Sequence, residues 1–406
     1  MTNQAKYSHM ARCGGLCICF LLVLSSACAP RSQRLPVSTP RSTPEASATL
    51  TVVASSPNAT QLPTATPADA LRPETLKQVR LLHQYWLAVA SEASVDPYEM
   101  DISAAALSPD GAFLAVGGCS KPPEADLRSG NVFCNGQDSA SPGGVPFLLI
   151  LDAGTEEVIA IIPENEAETA IADLAFTPDG EKLIYAVHPG KFAVWDVNSG
   201  ELESIVWEGE TSAPNITVSP DGRWIALKPT DQVLIWDTAS EEFVAEIPAY
   251  FRPQFSADSS RIAVYRDGEF IVYETGTWNE LSRFGMPCDC VYALSPNLTL
   301  LATSKRTPAE STFIVIWDTS TGAQVQTLQA SRGTTAFLAF SPDGRMLRRA
   351  NQNGDLVAWD PGERTFLAEN IGGVTPIFNL HGFQFTNDGR YYLLYSDLLL
   401  GLYGLP

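Results

Sequence analysis

Residues 171–200 read IADLAFTPDGEKLIYAVHPGKFAVWDVNSG: three short apolar runs separated by Thr-Pro-Asp-Gly, His-Pro-Gly and Asn-Ser-Gly. Each run has the length of a β-strand. In the first, bulky Leu174 and Phe176 flank small Ala175, the period of two expected of a pleated strand. Pro-Asp-Gly then supplies a tight turn, because proline presets φ and glycine accepts a positive one. The stretch predicts three antiparallel strands.

The unit recurs. Its turn begins at Ser108, Thr177, Ser219, Ser256, Ser295, Ser341 and Thr386, reading SPDG, TPDG, SPDG, SADS, SPNL, SPDG and TNDG. Its third strand ends at Leu151-Asp152, Trp195-Asp196, Trp236-Asp237, Tyr273-Glu274, Trp317-Asp318, Trp359-Asp360 and Tyr403-Gly404. Successive turn residues lie 69, 42, 37, 39, 46 and 45 positions apart, the first interval holding a local insertion. A period of about 40 to 45 residues with four strands per unit is the signature of a propeller blade. The innermost strand also follows one rule. A bulky residue stands immediately before the turn (Leu107, Phe176, Val218, Phe255, Leu294, Phe340, Phe385), with a smaller or polar one before it (Ala106, Ala175, Thr217, Gln254, Ala293, Ala339, Gln384). Sheets converging on an axis leave room for one thick face and one thin face.

The Ser-Pro-Asp-Gly turns and Trp-Asp pairs resemble those of WD40-like β-propellers, over about three-quarters of the chain from near Ile102 to Tyr403. The resemblance implies an all-β, seven-bladed propeller of four-stranded antiparallel blades that binds protein, peptide or glycan. The Gly-His dipeptide usual before the innermost strand is missing from every unit. The buried Asp-His-Ser-Trp network associated with that family is therefore not expected.

Of 406 residues, the first 28 contain Lys6 and Arg12 but no acid, and the apolar run Leu16 to Leu24 leads into Ser25-Ser26-Ala27-Cys28. That is a secretory signal, too short for a membrane span. It also resembles a bacterial lipoprotein signal, which implies lipid attachment at Cys28, with simple secretion as the alternative. Residues 29–72 are rich in Pro, Ser, Thr and Ala without apolar period and predict a disordered stalk. The propeller is expected over 73–406. The formal charge is -20. Such a surface repels phosphate backbones and anionic headgroups, which argues against nucleic acid and leaves the lipidated amino terminus as the only membrane contact. A monomer is expected.

The chain stops at Pro406, directly after the third strand of the seventh unit, so that blade needs an outermost strand from elsewhere. Residues 73–85 suit either a helix face or a strand. An open ring would leave an unpaired edge, which favours a helical turn near Pro73 to Lys77 and a closing strand from about Gln78 to His83. Blade one carries an insertion from Gly117 to Pro146 that includes Cys119 and Cys134. In an oxidising compartment these two predict a disulfide worth about 3 kcal/mol. Cys288 and Cys290 flank Asp289 before the innermost strand of blade five. Blades one and five are not neighbours, so pairing within each segment is favoured. A structural role is preferred there over a redox-active Cys-x-Cys.

No catalytic or metal-binding constellation emerges. His83, His188 and His381 sit in different segments, and no HExxH, nucleophile elbow, Walker loop or Rossmann glycine pattern occurs. The turn acids are the residues such turns prefer for local hydrogen bonding, so no metal or other cofactor is expected. Arg348 stands where other units carry Ala115, Ile184, Ala226, Ala263, Ala302 or Leu393. It should face a neighbouring blade and find an acid or carbonyls there, because an unpaired buried charge is costly. The functional alternative has Arg348 or Arg349 receiving an anionic ligand at the channel mouth, and Asp289 is a further candidate ligand contact. Two functions remain: a non-catalytic, extracytoplasmic, lipid-anchored scaffold for a protein, peptide or glycan, and a propeller hydrolase or lactonase with converging acids or amides at the channel.

Overall fold

In the computed structural model, the residues described are 51–52, 80–85, 88–90, 98–121, 145–155, 157–162, 171–188, 190–210, 214–285, 291–306, 312–329, 334–351, 356–362, 365–369, 380–386, 389–396 and 400–404. They form seven antiparallel sheets arranged as the blades of a propeller. Blade one is Tyr98–Leu107, Phe113–Lys121, Val145–Asp152 and Val158–Ile162, and blade two is Ile171–Phe176, Lys182–Val187, Lys191–Asp196 and Glu201–Glu208. Blades three to six repeat this order, starting from Asn215–Val218, Gln254–Phe255, Tyr292–Leu294 and Thr335–Phe340. The two-residue innermost strand of blade four begins after Pro253, whose missing N–H suits the inner edge.

The ring closes as the unpaired edge demanded. Arg80–Tyr85 pairs antiparallel with Leu400–Gly404, Leu81 opposite Tyr403, and becomes the outermost strand of blade seven beside Tyr392–Ser396 and Leu380–Phe385. The helical turn expected at 73–77 lies outside the described residues. Blade one departs from expectation in two ways. Its first strand starts at Tyr98, and Ala88–Ala90 pairs along its other edge, with Thr51–Val52 pairing beyond that. Two residues of the stretch expected to stay unpaired are thus in a sheet. The second and third strands of blade one also run on to Lys121 and from Val145, so the insertion proper shrinks to 122–144, outside the described residues.

Blade faces are apolar and each packs on the next. Ile102, Leu114 and Leu149 of blade one meet Leu393, Leu400 and Leu402 of blade seven. On the other face Ala115, Leu148 and Ile150 meet Leu174, Leu183 and Tyr185 of blade two. The pattern continues through blades two and three, three and four, four and five, and five and six. Each fully enclosed Leu, Ile or Phe contributes about 1.5–3 kcal/mol, so the inter-blade faces carry most of the stability.

The turn after each innermost strand is a repeated hydrogen-bond module. The Ser or Thr hydroxyl donates to the acid two residues on, at 2.6 Å for Ser108–Asp110, Ser219–Asp221 and Ser256–Asp258, and to Asn297 at 2.7 Å from Ser295. The same hydroxyl oxygen accepts from the N–H five residues on, as from Phe113, Trp224 and Met346. The acids therefore bond locally. The fourth turn position has positive φ. Glycine fills it in Gly111, Gly180, Gly222, Gly344 and Gly389, whereas Ser259 (58°) and Leu298 (57°) adopt it in the two degenerate turns. Leu298 accepts that backbone cost while its side chain packs in the core between blades four and five. Trp317 Nε1 donates to Thr303 at 3.0 Å, whereas the buried Trp195 Nε1 has no hydrogen-bond partner among the described residues.

A second periodic device lies on the outside. Opposite the third-strand aromatic, the register slips by one residue between Val194/Trp195, Ile235/Trp236, Val272/Tyr273, Ile316/Trp317 and Ala358/Trp359, and likewise at Ile150/Leu151. The extra residue sits in the outermost strand and is Ile159, Val244, Leu281 or Val325 in blades one, three, four and five, each 40–52% exposed. A bulge twists an edge strand away from foreign strands, so these exposed apolar residues stand where pairing is discouraged.

Candidate functional site at the channel mouth

The innermost strands enclose an axial channel of about 690 Å³. At the end bearing the Ser-Pro-Asp-Gly turns it is lined by like residues from each blade, such as Leu107, Phe176, Val218 and Phe340. At the opposite end the blades contribute differing chemistry. Four residues before the turn stand Asp173 in blade two, Asn215 in blade three and Arg252 in blade four, with Tyr292 of blade five one step further in. Ser103 of blade one and Tyr395 of blade seven complete the mouth.

Asp173 is 9% exposed, and its carboxylate is fully used. Oδ1 accepts from the Leu174 N–H at 3.0 Å, and Oδ2 accepts from the Ile216 N–H of blade three at 2.7 Å and from Arg252 Nη2. The Asp173–Arg252 pair spans from blade two to blade four past blade three. Half of the Arg252 side-chain surface, 51%, stays accessible, and the side chain lines the channel. Enclosure pulls the guanidinium down from its ordinary value while the phenol oxygens of Tyr395 and Tyr292 oppose the change. An arginine so perturbed remains charged at neutral pH. Burial likewise raises both phenols above their usual value, against the pull of Arg252, so each keeps its proton.

Tyr395 comes from the second strand of blade seven and reaches the channel over Gly382, its cross-strand partner. A side chain at Gly382 would lie 2.0 Å from the Tyr395 ring, so glycine is what lets the phenol through. On the rim beside Arg252, Tyr250 and Phe251 are 45% and 41% exposed. The Phe251 ring packs, tilted, with its centroid 4.9 Å from that of Tyr265 and 5.9 Å from that of Tyr292, and Tyr250 donates to Asp267 at 3.0 Å. Exposed aromatic rings fixed by their neighbours, next to an arginine, have the composition of a binding hot spot.

Of the residues singled out from sequence, Arg348 and Arg349 are enclosed, at 1% and 0% exposure. Arg348 does face blade seven, but the expected acid or carbonyl is not there. Among the described residues none of its guanidinium nitrogens has a hydrogen-bond partner, and the group lies 4.2 Å over the Tyr392 ring and 5.4 Å from that of Phe385. The Tyr392 hydroxyl is near enough to influence its charge without meeting hydrogen-bond geometry. Rings whose negative faces attract the cation stand in for an ion pair. Arg349 turns the other way, donating from Nε to Thr335 at 2.9 Å, which in turn joins Ser304 of blade five at 2.7 Å. Cys119 lies on the second strand of blade one. Cys28, Cys134, Cys288, Asp289 and Cys290 lie outside the described residues.

Sequence reasoning missed Asp173, Arg252 and Tyr395. An acid inside the apolar strand IADLAF and an arginine against Pro253 were the available signals. Among the described residues no three His, Cys, Asp or Glu side chains gather as metal ligands, and the described lining of the channel holds one carboxylate, Asp173. Compared with protein-family models and with curated proteins, the chain finds no match in either.

Proposed function

We propose that this propeller is an extracytoplasmic binding module, tethered through a lipidated Cys28, that docks a protein or peptide partner on the rim of its channel mouth. The observation that carries this reading is the exposed Tyr250-Phe251 pair, held by Tyr265 and Tyr292 beside Arg252 at the one end of the channel where the blades differ. Rings ordered before binding lose little freedom on association, which is how a small patch gains affinity. The stalk composition and acidic surface support a role away from nucleic acid and free of the membrane surface. In the described lining Asp173 is the one carboxylate and already accepts three hydrogen bonds, and the amides of Asn215 and Gln254 donate to the Pro214 and Leu294 carbonyls, which supports binding over the converging acids or amides of a hydrolase.

The test is crosslinking on intact cells with the wild type and with Tyr250→Ala/Phe251→Ala, followed by identification of what co-purifies. The wild type should recover a partner that the double variant loses. Equal recovery by a folded double variant would move the docking face elsewhere.

A further inference from the structure

The guanidinium of Arg252 donates Nη2 to Asp173, and among the described residues neither Nε nor Nη1 has an acceptor. Both lie on a side chain half open to the channel. Asp173, by contrast, is largely enclosed and already accepts from two N–H groups and from Arg252. The pair is neutral overall, yet what it offers an incoming group is donors only. Around it stand protonated Tyr292 and Tyr395, and the ring of Phe337 lines the channel next to them. A cation with spare donors, flanked by phenols and an aromatic wall inside an enclosed space, recognises a carboxylate joined to an apolar or aromatic group.

We infer that the channel mouth takes a carboxylate, the acidic end of an aromatic or apolar ligand, which Arg252 binds through its unused guanidinium donors while Asp173 holds that side chain in place. The inference rests on the docking reading above and names what the partner inserts. Gly382 serves the same site by admitting Tyr395. Asp173 is a positioning residue, and it also sets the strength of the site by neutralising part of the arginine's charge.

Phenylacetate and phenylacetamide, equal in shape and differing in charge, are the probes, titrated by calorimetry into the full mature chain. The acid should bind at least 10-fold more tightly than the amide. Arg252→Gln should abolish that preference, Arg252→Lys should keep part of it, and Asp173→Asn should strengthen acid binding, an effect a purely structural role would not produce. Equal binding of acid and amide, no binding of either, or an unchanged preference in Arg252→Gln overturns the inference. The capture experiment separates the two claims. Loss of the partner in Tyr250→Ala/Phe251→Ala without any acid preference leaves docking standing and removes the carboxylate. An acid preference with undiminished capture does the reverse.

Discussion

The two ends of the channel are built on opposite principles. At the turn end the same hydroxyl, acid or amide, and left-handed residue recur from blade to blade, and their polar atoms are spent within the turn, as in Ser219, Asp221 and Trp224, or on the turn of the next blade, as where the Asp221 N–H donates to Ser259. At the mouth the period fails: Asp173, Asn215, Arg252 and Tyr292 occupy equivalent or adjacent levels with unrelated chemistry, and Arg252 retains unspent donors. The difference teaches where to look in such a ring. Structure resides in what recurs, and the proposed recognition in what does not.

The sharpest way to break the contrast is Gly382→Ala. The added methyl must displace the Tyr395 ring from the mouth, at about 1–3 kcal/mol of stability, with a loss of carboxylate binding read by calorimetry. At the turn end, Ser219→Ala removes the bond to Asp221 and leaves the Trp224 N–H without its acceptor. Chemical denaturation should show a loss of about 1–2 kcal/mol with partner capture unchanged. Between blades six and seven, Arg348→Met exchanges an unpaired buried cation for a side chain of similar length. Desolvating the charge outweighs the attraction of two rings, so the variant should be more stable by about 1 kcal/mol in the same assay.

The smallest effect is one of pH. Hydrogen bonds from Ser256, Ser260 and the Ser260 N–H hold Asp258 down from 3.8 to about 2. A depressed carboxyl contributes stability that is fully present above its unfolded value and is lost as pH falls through the folded one. The wild type should therefore lose more stability between about pH 4 and pH 2 than Asp258→Asn does. Because Asp258 is largely exposed, solvent screening keeps the difference small.

What was legible in the chain follows the same division. Seven turns in phase fix the blades, because a tight turn demands a hydroxyl, an acid and a residue tolerant of positive φ at set positions. The phase holds even where Ser259 and Leu298 replace glycine. The closing strand followed from an edge that had to be paired, two residues further along the chain than expected. The mouth was illegible for a physical reason. Asp173 and Arg252 are 79 residues apart in sequence, and only the curvature of the ring brings them together past blade three. Arg348 stood out as a charge at an apolar position, but its environment was misjudged. Its neighbours are set by Tyr392 and Phe385 of the next blade, and rings answered a charge where an acid was anticipated.

The division between a structural end and a recognising end is tested most directly by placing a photo-crosslinking phenylalanine analogue at Phe251, on the mouth, and separately at Glu181, exposed in a turn at the other end. Illumination of intact cells should yield a partner adduct from position 251 and none from position 181. An adduct from 181 alone, or from neither, would contradict the account.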